Sequence, residues 1–452
     1  MTLPRLVLLL SLIGLASCNK RAKEDGSWVQ ETVQQRIEKQ VHWYQGTEAD
    51  ALVRDKIAEL LERELQVEDA VQIALLQNPN VQATFEEIGI AQADLVEAGL
   101  FQNPFLDGYV RFPSSLYSGI NTSLNLVTSF LDLFLVPLKK KTAELQFEEA
   151  KMRVAHKVLN LAAEVEQTFY ALQTALLKAD SQRTLMDAAT AALTLSKRQA
   201  EVGNVNPLFV ENRQADCLQT QLELSQTEIE LITLEKKLCM LMGIDGPELT
   251  LCSSLPDLPE EEMPIEDLES LALSLRLDVA AAKKQVESIA SLGAQKKWWA
   301  YTNGQIGIST EHQSEGFWDT GPAFGLALPF FNHGQADRAR LYAELRQAQD
   351  RLEALTLETK LQVRAARDHV LQARMITETY AQQVLPLREK ILEIAQKQYN
   401  VMAYGVYDLL RLKQEEVRSQ INHTAALCDY WIARSSLDFY IGGKWELERS
   451  NE

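Results

Sequence analysis

No stretch of this sequence approaches the roughly 18 consecutive apolar residues that a membrane-spanning helix requires. The mature chain is therefore predicted to contain no transmembrane helix. Basic residues are also in the minority, with 45 Lys and Arg against 63 Asp and Glu, so the formal net charge is −18 at pH 7. This balance argues against a nucleic-acid partner and predicts a strongly negative potential on part of the surface.

The sequence also lacks the motifs of known catalytic sites. Its six histidines form no HExxH motif and no paired spacing, and no GxGxxG, Walker loop or GxSxG is present. An enzyme needs a convergent cluster of polar side chains, and the sequence indicates none. We therefore predict a protein that is not an enzyme and that holds no metal and no cofactor.

Cysteine is scarce. Setting Cys18 aside leaves four widely spaced cysteines, which are Cys217, Cys239, Cys252 and Cys428. They form no CxxC pair and no zinc pattern. Export from the cytoplasm would permit disulfides, but three of the four lie in strongly helical stretches. We expect free, buried thiols.

The first residues have the composition of an export signal. Arg5 supplies positive charge, Leu6 to Ile13 form an apolar run, and small residues precede Cys18. Leu15-Ala16-Ser17-Cys18 resembles the lipobox of bacterial lipoproteins, which implies cleavage before Cys18 and its acylation, for example with palmitate. An ordinary signal peptide followed by a chance cysteine is the alternative. Because Asn19 follows, and not an inner-membrane retention aspartate, the resemblance implies the outer membrane.

The rest of the chain repeats itself at a spacing of about 200 residues. Val67 to Ala70 matches Ile265 to Leu268, and Gly243 matches Gly443. A stretch rich in proline and acidic residues separates the two copies. The predicted segments are a signal peptide (1–17), a lipidated lead-in (18–64), a first repeat (65–254), a linker (255–264), a second repeat (265–443) and a C-terminal tail (444–452).

Each repeat contains helices that are too long for a compact domain. Leu138 to Val202 has neither proline nor glycine, and its apolar residues recur at steps of three and four. About 65 helical residues would extend roughly 100 Å. A second helix to Met242 carries two apolar stripes, which indicates neighbours on both sides, as in a closed ring of helices. Gln335 to Met402 and Tyr407 to Ile441 repeat the pattern, for which an ordinary antiparallel coiled coil is the alternative.

Two strand-like segments precede the long helices of each repeat. The four segments are Pro104–Pro113, Gly119–Phe130, Trp298–Ser309 and Ala323–Phe330. Each is about ten residues long with period-two alternation and aromatics near its ends, which suits a tilted membrane strand, although a soluble hairpin would look similar. Four strands cannot close a barrel, and open edges are not tolerated in lipid. Several copies of the chain are therefore expected to share one barrel.

Four segments carry a family resemblance, which extends from about Leu65 to Gly443. They are VEDAVQIALLQNPNVQA, IEDLESLALSLRLDVAA, LALPFFNHGQADRARL and YNVMAYGVYDLLRLKQ. In these segments the chain resembles the TolC family of outer-membrane efflux factors. The resemblance implies a mainly α fold: a homotrimer whose duplicated helical hairpins form an α-barrel and whose protomers each add four strands to a 12-stranded β-barrel. It also implies a periplasmic adaptor protein and an inner-membrane pump as partners.

The resemblance further implies an aperture that closes at the periplasmic tip. Tyr399 and Asp408 match a tyrosine and an aspartate of that region. Three copies of Asp408 around an axis would form a carboxylate ring that attracts cations; a helix N-cap is the alternative role. Some relatives have a second aspartate at the position of Arg411. The arginine therefore removes the second carboxylate ring and allows an ion pair between Asp408 and Arg411.

Two other functions compete with a channel. A lipid-anchored periplasmic adaptor would carry one hairpin flanked by β domains rich in valine and glycine, whereas this sequence has two hairpins and few strands. An envelope scaffold with coiled-coil hairpins is the third reading. Counting hairpins favours the outer-membrane channel of a tripartite efflux or secretion system.

Overall fold

The computed structural model describes residues 26–112, 120–130, 132–245, 249–252, 254–260, 267–296, 304–313, 316–326, 328 and 330–444. Helix α1 spans residues 26–37. The remaining helices are α2 (Glu48–Leu61), α3 (Val67–Gln77), α4 (Pro79–Ala98), α5 (Asp132–Glu201), α6 (Pro207–Met242), α7 (Leu268–Leu275), α8 (Leu277–Lys296), α9 (Gln335–Thr379), α10 (Leu385–Asn400) and α11 (Val406–Ile441). The strands are β1 (Phe105–Arg111), β2 (Asn121–Ser129), β3 (Gln305–His312) and β4 (Trp318–Gly325). Among the described residues, no helix has the length and apolarity needed to cross a membrane.

The long predicted helices are present, with two differences. Helix α5 begins at Asp132, six residues before the predicted start, and therefore contains Pro137. The helix predicted from Gln335 to Met402 is divided by a π-helical turn at Tyr380–Val384, which precedes Pro386. A proline ring clashes with the carbonyl four residues earlier, and a π turn is one way in which a helix accommodates the clash.

The chain forms two compact units, and each takes residues from both predicted repeats. Of the described residues, the sheet unit takes those up to Val29 together with those of Phe85–Val154 and Leu277–Leu357. The helical unit takes the described residues of Gln30–Thr84 and Ala155–Arg276 and those from Glu358 to Lys444. Because each compact unit contains residues of both repeats, neither repeat forms a compact unit by itself.

The sheet unit contains one antiparallel sheet in the order β1-β2-β3-β4. Strand β4 lies earlier than the predicted segment, because over the described residues it pairs with β3 from His312–Trp318 to Gln305–Gly325. The part of the third segment from Trp298 to Asn303 lies outside the described residues. The resulting sheet has unpaired edges on β1 and β4.

The two faces of the sheet differ in chemistry. One face carries exposed apolar side chains, namely Leu106, Leu124, Leu126, Ile306, Ile308 and Phe324. On the opposite face, Asn125 donates to Asp107 at 3.1 Å and Ser309 donates to Asn125 at 2.6 Å, so hydrogen bonds cross three strands. In β2 and β3 the apolar face is the more exposed of the two, which is the reverse of a soluble half-buried sheet.

One core cluster of the helical unit lies where both ends of the second repeat meet. The core cluster joins α7, α9 and α11 through Leu268, Ala272, Val363, Ala366, Val370, Ala373, Tyr430, Ala433, Leu437 and Ile441. Burying a side chain of the size of Leu437 stabilises a fold by about 1.5–3 kcal/mol. The best-packed part of the second hairpin is therefore its base, which is the end far from the turn between α10 and α11.

The duplication is visible in backbone detail. Asn78 and Arg276 end α3 and α7 with nearly the same dihedrals, φ −57° and ψ 122° against φ −62° and ψ 122°. Gly243 and Gly442 end α6 and α11 in the left-handed region, with φ 71° and 106°. The structural partner of Gly243 is therefore Gly442, one residue before the glycine matched in sequence.

The four cysteines confirm the expectation of free thiols. None of them forms a disulfide; Cys217, Cys239 and Cys428 are buried, and Cys252 is partly exposed. Burial raises the pKa of the Cys239 and Cys428 thiols, because a thiolate loses solvation in an apolar environment.

Two glutamine side chains hydrogen-bond to the backbone of the lead-in. The amide of Gln72 donates to the Gln40 carbonyl at 2.8 Å and accepts from the Gln40 N–H at 3.1 Å. Gln82 donates to the His42 carbonyl at 2.8 Å and accepts from the Tyr44 N–H at 2.9 Å. These side chains supply the partners that a neighbouring strand would otherwise provide.

Asp50, in the first turn of α2, forms hydrogen bonds with the same segment of the lead-in. Its buried carboxylate accepts hydrogen bonds from His42 Nε2 at 2.6 Å, Gly46 N at 2.8 Å and Thr47 N at 3.0 Å. The bond from His42, followed by those from the two backbone amides, lowers the pKa of Asp50. The carboxylate therefore stabilises the fold above the ordinary aspartate pKa of about 3.9, and this contribution is lost as the pH falls through the folded value.

We predict that Asp50→Asn loosens the lead-in at pH 8, where the wild-type carboxylate is ionised. Tryptic cleavage after Arg54 and Lys56 should become about five- to tenfold faster, because an amide keeps one acceptor oxygen where the carboxylate has two. Its NH2 group would therefore face either His42 Nε2 or the backbone N–H groups of Gly46 and Thr47. The exposed residue Asp55 on the same helix provides the control, Asp55→Asn. Equal cleavage rates in the wild type and the two variants would contradict the role of Asp50.

We predict that Gly307→Ala disrupts the sheet. A Cβ atom at Gly307 would overlap the Leu126 carbonyl oxygen and lie 2.7 Å from Val127 Cγ1. The expected loss is more than about 2 kcal/mol of unfolding free energy, measured by urea denaturation. Gly321→Ala is the matched control, because nothing lies within 4 Å of its added Cβ. A Gly307→Ala midpoint equal to that of Gly321→Ala would show that the close approach is unimportant.

Candidate functional site at the hairpin tips

The two long hairpins end in equivalent turns. In the turn between α5 and α6, Gly203 N donates to Ala200 O at 3.0 Å and Asn204 N donates to Gln199 O at 2.8 Å. In the turn between α10 and α11, the same two bonds run from Met402 to Tyr399 at 2.9 Å and from Ala403 to Gln398 at 2.9 Å. Both are helix C-caps that require a residue in the left-handed region.

The turns differ in the residue that occupies this position. Gly203 has φ 80° without steric cost, whereas Met402 adopts φ 60° with a side chain. A left-handed residue other than glycine costs about 1–2 kcal/mol. The Met402 side chain is also 95% exposed, so no packing within the protomer offsets that cost.

A contact that sequence reasoning missed joins the two tips. Tyr407 Oη donates to Gln199 Oε1 at 2.8 Å, and its ring meets Phe209 edge-on at a centroid distance of 4.9 Å. Arg213 lies over the Phe209 ring at 5.4 Å. Loss of solvation raises the pKa of Tyr407, although Arg213 acts in the opposite direction, so the phenol keeps its proton at neutral pH.

A signal for this contact was present in the sequence. Phe209 and Tyr407 are 198 residues apart, one fewer than the 199 that separate the equivalent turn residues Gly203 and Met402. Each is an aromatic residue in the first turn of the second helix of its hairpin. Aromatic residues in the first turn at both tips would have indicated a contact between the tips.

An ion-pair cluster fastens α10 to α11 above the tip. Glu415 accepts from Arg388 Nη1 at 2.6 Å and from Arg411 Nη1 at 2.8 Å, using one carboxylate oxygen for each. The Arg388 and Glu415 side chains are each about one-third exposed, so solvent weakens the attraction. The cluster nevertheless links two helices that have few buried side chains between them.

Known proteins match this chain in structure only. No protein-family profile and no curated protein matches the sequence. Solved structures do match. A membrane protein from Pseudomonas aeruginosa aligns with a TM-score of 0.69 at 17% identity, covering 83% of this chain and 93% of that one.

Two outer-membrane channels align equally well. Campylobacter jejuni CmeC has a TM-score of 0.67 at 16% identity, over 83% of this chain and 85% of its own. The open state of Neisseria gonorrhoeae MtrE has a TM-score of 0.67 at 15% identity, over 83% and 89%. The chain has the fold of the TolC-family channels.

Within this TolC fold, the three residues predicted at the aperture lie near one tip. Tyr399 is exposed in the last turn of α10, and Asp408 lies in the first turn of α11. The N-cap of α11 is Gly405, and a Cβ atom there would lie 3.1 Å from Asp408 Oδ2. The ion pair of Arg411 is with Glu415. In the described part of the protomer, no hydrogen bond joins any two of Tyr399, Asp408 and Arg411.

Two further predictions concern the rest of the TolC-fold chain. Cys18, the predicted lipid site, lies outside the described residues. Over the residues that the structure describes, no group of three His, Cys, Asp or Glu side chains could hold a metal ion.

Proposed function

We propose that this protein is the outer-membrane channel of a tripartite efflux or secretion system. It would pass substrates, delivered by an inner-membrane pump through a periplasmic adaptor, across the periplasm and outer membrane without catalysis. The observation that carries the proposal is the TolC-channel fold, which the chain shares with CmeC and MtrE over 83% of its length. The predicted boundaries of the signal peptide, lead-in, repeats, linker and tail are part of the same proposal.

The free edges of the sheet support a homotrimer. An isolated sheet with unpaired β1 and β4 edges cannot lie in lipid, because its backbone groups would lack partners. Three copies would supply twelve strands and close the edges against one another. The exposed apolar face would then contact lipid, and the hydrogen-bonded polar face would line the lumen.

The helices support the same assembly. One stripe of α6 packs within the protomer, where Leu238 and Leu241 are buried. The second stripe is more than half exposed and consists of Leu218, Leu222, Ile229 and Ile232. Monomeric proteins rarely expose an apolar stripe of this kind to water, so we expect a neighbouring protomer to cover it.

The tips would then form the aperture. In a trimer, three copies of Tyr399, Asp408 and Arg411 would surround the axis, as the TolC resemblance implies. A ring of Asp408 carboxylates favours cations and repels itself when ionised. Because Arg411 is engaged by Glu415 at 2.8 Å, the Asp408 charge is left to act on permeating ions.

The first test is the single-channel conductance of the detergent-extracted full-length protein in a planar bilayer, with oligomeric mass measured in parallel. We expect trimers with a small, cation-preferring conductance that rises in Asp408→Ala. Asp429→Ala, an exposed position further along α11, should leave it unchanged. Monomers or dimers without conductance would refute the channel and favour a periplasmic adaptor or an envelope scaffold.

We also propose that Cys18 carries the lipid that anchors the mature chain to the outer membrane. The lipobox-like Leu15 to Cys18 supports this assignment. Cells labelled with radioactive palmitate should yield labelled wild-type protein and labelled Cys252→Ser, but no label in Cys18→Ser. Label that persists in Cys18→Ser would refute the lipid assignment and leave the channel unaffected.

A further inference from the structure

A groove of about 540 Å³ lies in the sheet unit where helices pass into strands. The end of α4 and the first turns of α5 form its walls, and Leu292 of α8 completes them. Strand β1 begins at Phe105, soon after α4 ends, and α5 begins at Asp132, soon after β2 ends at Ser129. The groove therefore lies beside the base of the sheet, at the end from which both helices extend.

In the proposed channel, the groove lies at the depth of the lipid headgroups. Lys139, on its α5 wall, is roughly 10 Å along the helix axis from Asp132. Each headgroup layer of a bilayer is about 5–8 Å thick, since the hydrocarbon core measures about 30 Å and the whole bilayer about 40–45 Å. A lipid whose acyl chains lie against the apolar face of the sheet can therefore place its headgroup in this groove.

Charged side chains of both signs line the groove. Asp94 and Glu97 are exposed on α4, three residues apart and therefore on one face of the helix. Neither carboxylate has a hydrogen-bond or ion-pair partner among the described residues. On the α5 wall, Lys139 Nζ lies 3.4 Å from Oδ1 of the buried Asp132, and its side chain remains 38% exposed. This contact holds a cation at the groove and leaves it accessible to a ligand.

Amide and apolar side chains complete the lining. Gln102 and Asn103 follow α4 and carry side-chain N–H groups that can donate to an anion. Leu100 and Phe101, from the same stretch of chain, are 62% and 60% exposed. Large apolar side chains exposed beside polar ones form a surface that suits an amphiphilic ligand.

The mixture of charges restricts the chemistry of the ligand. A simple anion would be repelled by Asp94 and Glu97, and a simple cation would be repelled by Lys139. A zwitterion with an ammonium group and a phosphate a few bonds apart offers an opposite charge to each side of the groove. A primary ammonium suits the carboxylates best, because its N–H groups donate hydrogen bonds, whereas a quaternary ammonium has no N–H group.

We propose that this groove binds the headgroup of phosphatidylethanolamine, a phospholipid with a primary ammonium and a phosphate. Asp94 and Glu97 accept hydrogen bonds from the ammonium. Lys139 binds the phosphate, assisted by the side-chain amides of Gln102 and Asn103. The acyl chains extend along the apolar face of the sheet. The inference rests on the proposed function, because only a sheet inserted in a bilayer has lipid beside this groove.

The lipid preference is tested by native mass spectrometry of the detergent-extracted full-length trimer. Dioleoyl lipids with ethanolamine, choline or glycerol headgroups are titrated separately. We expect one phosphatidylethanolamine per protomer, bound about fivefold to tenfold more tightly than the other two lipids. Phosphatidylcholine has no N–H group on its cation and phosphatidylglycerol has no cation, so both leave Asp94 and Glu97 without a hydrogen-bond donor.

The carboxylates are tested by Asp94→Asn combined with Glu97→Gln, which keeps the size of both side chains. This variant should bind phosphatidylethanolamine no more tightly than phosphatidylcholine, because both charges that select the ammonium are gone. Glu344→Gln combined with Asp350→Asn is the matched control. It removes two exposed carboxylates from α9 in the same sheet unit and should keep the preference.

The phosphate contact is tested by Lys139→Gln. This variant should bind all three lipids at least about threefold more weakly, because each of them carries a phosphate. Unchanged binding of the three lipids would refute the phosphate contact. The mass and the melting temperature of every variant verify that it is folded and trimeric.

The outcomes separate the lipid site from the channel. If the trimer binds the three lipids equally, or if the variant at Asp94 and Glu97 keeps the preference, the headgroup site is refuted while the channel stands. An equal loss of preference in the α9 control would also refute the site, because net charge alone would then explain the effect. If the protein is monomeric and gives no conductance, the proposed function fails and the lipid site fails with it.

Discussion

The unpaired edges of the four-stranded sheet are the constraint on which the rest of this structure depends. A backbone N–H or C=O in lipid must have a partner, and within the part of the chain that the structure describes, the outer edges of β1 and β4 pair with no further strand. Association of several chains is the solution that the proposed channel uses. If three copies close a barrel, their hairpins also form a ring. A neighbouring hairpin would then bury the exposed stripe of α6. Sheet chemistry and helix patterning therefore both support the proposed assembly.

Duplication supplied two hairpins with the same backbone, and side-chain divergence gave them different properties. The helix ends at Asn78 and Arg276 have nearly identical dihedrals, but one residue presents an amide and the other a guanidinium. At the tips, each hairpin has an aromatic residue in the first turn of its second helix, Phe209 in the first and Tyr407 in the second, and the Tyr407 hydroxyl donates a hydrogen bond to Gln199. A π turn precedes Pro386 in the second hairpin. The two hairpins thus share one plan and differ in their local contacts.

The lead-in shows how the non-helical stretch between α1 and α2 can still be ordered. Gln72 and Gln82 supply donors and acceptors to its backbone, and Asp50 gathers three hydrogen bonds at its far end. These contacts are polar and directional, so they position the segment without a large apolar core. The same contacts make its attachment sensitive to the charge of a single carboxylate.

The sequence by itself determined the long helices, the paired strand segments and the duplication, because these depend on local periodicity, on the placement of proline and glycine, and on self-similarity. Tertiary structure alone decided where β4 lies, since its ends depend on the hydrogen-bond partners that β3 offers. It also decided that Arg411 pairs with Glu415 and that Tyr407 reaches Gln199. Contacts between residues as far apart as 208 positions depend on how the hairpins pack, and helical periodicity carries no information about which neighbouring helix a polar side chain will meet.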